Sequence, residues 1–340
     1  MAEAPLDIYW VARPGRGWRP VAELAELAAR HLGGRLIVVS FDGAGFLKRV
    51  RIGLAPQRGR AAGRALLIAS EPSDLLRLYG GDKPVPRYDM MAAWIIDAFQ
   101  TDVIPNRQIT SRFDLIAQAT AHDLDHYAKR FGDRARHLPI GADVWGRGGH
   151  EGARGVDLLR FGRQPEAWRD DEISAAAAAA AGVRFQGRPD YVEDPAEERR
   201  IVDAALRQAK YVLASSNLVA PHVGTHPTKE YITLRWMTSL AQGATMFGVQ
   251  PLTDPAMSNL LWPEATVHVE TADLAENLAA VKALAADWRP ELAKLNHLRA
   301  LERLDWRWRF KTLAEWLELK TPALDAELAE ISARISAETD

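Results

Sequence analysis

Lys229 and Glu230 stand side by side in the stretch HPTKEYITLRWMTSLAQGATMFGVQP, residues 226–251, where polar turns run into a helical pattern. A charged pair at the entrance of an otherwise apolar run suits a ligand better than a core. The pattern predicts a helix that begins near Tyr231, with free amides over 231–234, those of Tyr231, Ile232 and Thr233 among them. Such a helix end favours an anion. Lys229 adds positive charge, and the Glu230 carboxylate can accept hydrogen bonds from sugar hydroxyls. The plainer reading is that Glu230 is a first-turn acid that stabilises the helix dipole.

Three other loops carry candidate chemistry. FGRQPEAWRD (161–170) follows an expected strand, and Arg163 at its end would suit a diphosphate by bidentate contact, or else pair with Glu166 or Asp170 on the surface. ARPGRGWRP (12–20) lies between a strand and a helix. Its Gly15 and Gly17 permit close backbone approach, and Arg13, Arg16 and Arg19 supply charge, so it reads as a phosphate or acceptor loop, or as a plain turn. Asp97 closes the apolar AAWIID, where a carboxylate could orient or deprotonate an acceptor hydroxyl, or cap the next helix. The pairs His122/His126 and His222/His226 have no convincing third ligand, so no metal is expected. Lys48 to Arg64 holds six basic residues and no acid, a tract that could touch anionic lipid heads or a phosphorylated acceptor, or simply be a solvated face. Without interleaved aromatics it does not suggest single-stranded nucleic acid.

These loops need a scaffold. Brief runs that are apolar on both faces alternate with helical patterns: DIYWVA, RLIVVSF, RALLIAS, MAAWIIDAF and FDLIAQAT before residue 143, then VDLLRFG, VRFQG, YVLASSN and ATVHVE after it. That is the signature of parallel sheets buried under helices. VWGRGGHEGARG (144–155), rich in Gly and Arg, reads as a linker between two doubly wound domains separated by a cleft, and the tail from 273 is helical. Asp194 and Pro195 suit the N-cap and first turn of a helix. At 340 residues two domains are expected, and 47% apolar with 26% charged residues is ordinary for a soluble globular protein. A net charge of −2 gives no field toward nucleic acid. With no cysteine and no apolar h-region near the N-terminus, a reducing cytoplasm is the expected setting.

Together the motifs resemble those of the GT-B glycosyltransferases, near the bacterial group 1 or family-four enzymes. FDLIAQATAHDLDHYAKRFGDRARHLPIGAD (113–143) is similar to the end of their acceptor domain, VDLLRFGRQP (156–165) to the strand opening their donor domain, and KEYITLRWMTSLAQGA (229–244) to their Glu-x7-Glu segment. The resemblance implies two Rossmann-like domains, 1–145 for the acceptor and 146–304 for the donor, with 305–340 packing back on the first. It implies sugar transfer from a nucleotide-diphosphate sugar to a glycan or lipid-linked acceptor without a metal or other cofactor. Asp97 and Glu230 would be catalytic; Gly15, Gly17, Arg163, Lys229, Tyr231, Ile232, Thr233 and Thr238 would bind the donor. Thr238 stands where the family's second glutamate binds ribose, and the lysine that normally follows the arginine is replaced near Trp168 and Arg169. A nucleotide-sugar epimerase of the same fold and a non-catalytic sugar-nucleotide or glycan-binding protein are the alternatives.

Overall fold

The computed structural model describes residues 5–40, 59, 63–222, 224–251 and 259–339. The chain forms two compact units, Met1–Pro139 with Arg309–Leu328, and Ile140–Trp308 with Ala329–Asp340.

Unit 1 contains β1 (Leu6–Val11), α1 (Arg19–His31), β2 (Arg35–Val39), β3 (Arg64–Ala69), α2 (Asp74–Gly80), β4 (Met90–Ile95), α3 (Arg107–Thr110), β5 (Leu115–Gln118), α4 (Leu124–Phe131) and β6 (Ala135–His137). The six strands pair in parallel in the order β2-β1-β3-β4-β5-β6. Successive residues such as Leu66, Leu67, Ala92 and Ala93 are all buried, as the unbroken apolar runs require of strands covered on both faces. α1 lays Val21, Leu24, Ala25 and Ala28 on the sheet at helical spacing, with Pro20 in its first turn.

The chain returns to this unit near its end. α11 (Trp306–Trp316) and α12 (Pro322–Thr339) each straddle a boundary between the units. Phe310 stacks on His31 at 5.7 Å, and Glu327 lies 3.3 Å from the same imidazole.

Unit 2 contains α5 (Val144–Arg147), β7 (Val156–Arg160), α6 (Asp171–Ala181), β8 (Phe185–Gln186), α7 (Pro195–Gln208), β9 (Ala209–Leu213), α8 (Leu234–Ala241), β10 (Thr245–Gly248), β11 (Thr266–His268), α9 (Leu274–Ala286) and α10 (Pro290–Arg303). Its parallel sheet runs β11-β10-β9-β7-β8. Asp194 caps α7 by accepting the Ala196 amide, and Asp170 caps α6 through Glu172 and Ile173.

The stretch 144–155 is not the loose linker that its composition suggested. Asp143 caps a helical turn over 144–147. Arg154 is buried, and its guanidinium donates to the carbonyls of Leu206, Ala209 and Gln242. Burial, with Arg207 nearby, lowers its pKa to about 10. Asp305 is fully buried and accepts the Trp145 and Arg307 amides, while the Arg307 guanidinium reaches Asp143 at 2.9 Å. Arg154 builds interior contacts here, and Gly148 admits close approach of the Ala241 carbonyl, where a Cβ would fall 2.6 Å from its oxygen.

Each sheet reverses its strand order once. In unit 1 the reversal lies between β1 and β3, in unit 2 between β7 and β9. In open α/β sheets, loops leaving the carboxyl ends of strands at such a reversal diverge, and ligands bind between them.

β9 and β10 approach closely at one glycine. Gly248 has φ +146°, and a Cβ there would sit 2.2 Å from the Ala214 carbonyl oxygen. Gly248→Ala is therefore expected to destabilise unit 2 by about 3 kcal/mol, through overpacking and backbone strain. The check is the denaturant midpoint of a probe in that unit, which an ordinary surface site would leave in place.

Candidate functional site

At the reversal point of unit 2, side chains rather than a strand ladder organise the loops. Gln164, on the loop after β7, donates through Nε2 to Phe161 O at 3.1 Å and Leu213 O at 2.8 Å, joining the ends of β7 and β9. After β9, Ser216 donates its hydroxyl to the Glu230 carboxylate and accepts the Leu218 amide at 3.1 Å. Asn217 then gathers the loop that carries the charged pair. Its Nδ2 reaches the carbonyls of His226 (3.1 Å) and Lys229 (2.8 Å), and its Oδ1 accepts the Tyr231 amide at 3.2 Å. His226 Nδ1 accepts the amides of Thr228 and Lys229, so its ring closes a turn and carries its neutral-form proton on Nε2.

This arrangement corrects the helix start. α8 begins at Leu234, three residues beyond the expected position, with Thr233 extended at φ −102° and ψ 169° as its N-cap. Tyr231, Ile232 and Thr233 are aromatic or β-branched and stay extended, which such side chains favour. The Tyr231 amide is committed to Asn217, and the side chains of Tyr231 and Ile232 are buried. Thr238 donates its hydroxyl to Leu234 O and Arg235 O one turn back, so toward a ligand it offers only acceptor capacity.

Arg163 is exposed, three residues past the end of β7. Neither acid considered as its surface partner takes it: Glu166 pairs with Arg169 at 2.6 Å, and Asp170 caps α6. Among the described residues its guanidinium has no carboxylate partner. The neighbour that sequence reading missed is Arg235 in the first turn of α8. Its Nη1 donates to Phe161 O at 3.0 Å and Arg163 O at 2.7 Å, fastening the helix start to the Arg163 loop. A cation in the first turn, where the dipole disfavours positive charge, was the available signal.

Unit 1 treats its own reversal point differently. Arg13, at the expected phosphate loop, pairs with Asp74 and Glu71, both at 2.6 Å, and donates to Ser73 at 3.1 Å. Asp74 is fully buried and also accepts the Ser70 amide at 2.8 Å. Arg13 thus closes the crevice between β1 and β3 and is not available to a phosphate, which corrects its expected contribution of free charge. Gly15 has φ +99°, and both it and Gly17 are exposed with open space where a Cβ would be. The Arg16 side chain, and residues 48–58 and 60–62 of the basic tract, lie outside the described residues.

Asp97 follows β4 half-buried, and its amide donates to Ser70 O at 2.9 Å. It does not cap a helix, since the next helical turn, 101–103, has Gln100 at its N-cap. His122 and His126 are exposed, and among the described residues no group of three His, Asp or Glu is placed to hold a metal ion. No described helix is long and apolar enough to cross a membrane.

Two parallel, doubly wound α/β units, with the chain returning to the first after completing the second, constitute the GT-B fold. Among solved structures the chain is similar to the Anabaena protein HepE. In complex with UDP and glucose the TM-score is 0.55 at 10% identity, over 92% of this chain and 99% of that one. With UDP-glucose the TM-score is 0.54 at 9% identity, over the same shares. No protein-family model and no curated protein sequence matches the chain.

Asn217→Ala removes three bonds that fasten the 226–231 loop. The expected result is a loop easier to open by about 2 kcal/mol, read as roughly 30-fold faster hydrogen exchange at the Tyr231 amide. An unchanged rate would mean that other contacts hold the loop.

Proposed function

We propose that the protein is a glycosyltransferase that moves a sugar from a nucleotide-diphosphate donor to a glycan or lipid-linked acceptor. The observation that carries this reading is the cluster at the reversal point of unit 2. There a carboxylate held by Ser216 and a guanidinium without a carboxylate partner lie on loops that Gln164 and Arg235 fasten to the ends of β7 and β9. HepE, similar in fold, is seen with UDP and with UDP-glucose, which supports the choice of ligand class.

In this reading Arg163 and Lys229 stabilise the departing diphosphate as its negative charge develops, in place of a metal ion. Glu230, with one oxygen engaged by the Ser216 hydroxyl, accepts hydrogen bonds from hydroxyls of the donor sugar. Asp97, at the carboxyl edge of unit 1, positions the acceptor hydroxyl. Thr238, whose one donor is engaged within α8, reads a ribose only as an acceptor. A bacterial surface-polysaccharide precursor, met at the cytoplasmic face of the membrane through the basic tract 48–64, completes the proposal. It rests on that composition and on the habit of the family resembled.

Calorimetry with UDP and GDP, followed by mass-detected release of free sugar from a donor panel, tests the reading. Slow hydrolysis that persists in chelator is expected. Interconversion of sugars would indicate an epimerase, and binding without turnover a carrier protein. Arg163→Ala and Glu230→Ala are each expected to weaken donor binding about tenfold or more, the loss of a charge-assisted contact of about 1.5–3 kcal/mol. Unchanged affinity in both variants would place the donor elsewhere.

A further inference from the structure

Arg235 differs from several embedded arginines among the described residues. Arg13, Arg147, Arg160 and Arg307 each meet at least one carboxylate, at Asp74, Asp203, Asp171 and Asp143 respectively. Arg154 lacks one but directs both terminal nitrogens at backbone carbonyls. Arg235 is half-buried and has no carboxylate partner among the described residues. Its two hydrogen bonds both leave from Nη1, to Phe161 O and Arg163 O. The other edge of the guanidinium, Nε with Nη2, donates to nothing among the described residues.

The Arg235 side chain lies against Gly162. A Cβ on this residue would fall 2.9 Å from Arg235 Nε, 3.0 Å from Cζ and 3.2 Å from Cδ, and its φ is +77°. Glycine at this position therefore makes room for the guanidinium to lie where it does. Burial, and to a lesser degree the like charge of Arg163, lower the Arg235 pKa to about 10. The Nε–Nη2 edge presents two parallel N–H groups, the spacing that matches two oxygens of one phosphate.

We propose that Arg235 holds the diphosphate of the donor nucleotide, gripping one phosphate at its Nε–Nη2 edge beside Gly162 while Arg163 contacts the same group. This rests on the reading of the unit 2 site as a nucleotide-sugar site. It adds a residue that reads the leaving group and simultaneously fixes the loop bearing Arg163.

The test is calorimetry of the full chain with UDP and, separately, with inorganic pyrophosphate, over a range of salt concentrations. Arg235→Gln is expected to weaken both ligands at least tenfold and to flatten the salt dependence of UDP affinity, because one cation no longer meets the anion. Arg235→Lys, which keeps the charge without the fork, should retain the salt slope while losing affinity. A merely structural role would leave the slope of Arg235→Gln unchanged, and that outcome overturns the inference. Should Arg235→Gln fail to fold, Gly162→Ala displaces the guanidinium with a methyl group and should show the same loss for both ligands. Wild-type affinity in that variant also overturns the proposal. Wild-type binding of UDP with no effect of either substitution refutes the role of Arg235 and leaves the donor reading standing. Pyrophosphate binding that depends on Arg235, without any UDP or GDP binding, keeps the anion site and removes the nucleotide. If neither UDP nor pyrophosphate binds, both proposals fall.

Discussion

Where a parallel sheet reverses its strand order, two neighbouring strands send their chains in opposite directions, and the ladder continues past their ends only toward the outer neighbours, as from Ala12 to Val39 and from Ser216 to Val249. Side chains hold the rest, and how they do it separates the two units of this protein. In unit 1 a buried carboxylate, Asp74, accepts both the Ser70 amide and the Arg13 guanidinium, so positive and negative charge cancel inside the crevice. In unit 2 neutral amides, Gln164 and Asn217, satisfy the loop backbone, and Arg163 nearby is exposed with no carboxylate partner among the described residues. A crevice already neutralised has little attraction for an anion.

That difference also orders the cationic residues. Arg13, Arg163 and Arg235 all stand near a strand end or a helix start, but they do unlike work. Arg13 is a structural ion-pair partner. Arg163 is exposed with no carboxylate partner among the described residues. Arg235 shares itself between backbone carbonyls on one edge and an unengaged fork on the other. Position along the chain could not distinguish them, because each identity follows from whether an acid from a distant segment arrives.

The scaffold was legible for a simple reason: hydrophobic burial on both faces of a parallel strand writes itself as an unbroken apolar run, and Ala65 to Ala69 or Ala92 to Ile95 are too short for a buried helix. Helix ends with local chemistry were legible too, as at Asp170 and Asp194. The failures share a cause. The start of α8 depends on Asn217, fourteen residues upstream of the amide it holds. The order in 144–155 depends on carbonyls more than fifty residues away. The engagement of Arg13 depends on Asp74, across two strands. Composition describes what a segment can do alone, and each of these is decided by a partner from another element. In the candidate site, Glu230 and Arg163 were visible as charges in suspicious places, whereas Arg235, Ser216 and Asn217 become meaningful only once the loops are brought together.

The interleaving of the two units in sequence has a consequence for biogenesis. Residues 309–328 belong with the first 139, so about half of the polypeptide must emerge between the sheet of unit 1 and the helices that complete it. During that interval the face of α1 bearing His31 awaits Phe310 and Glu327, and the nascent half is exposed to association with other chains. Truncation after Trp308 would leave that condition permanent. A chain released at that point would carry a second unit nearly finished and a first unit that is not.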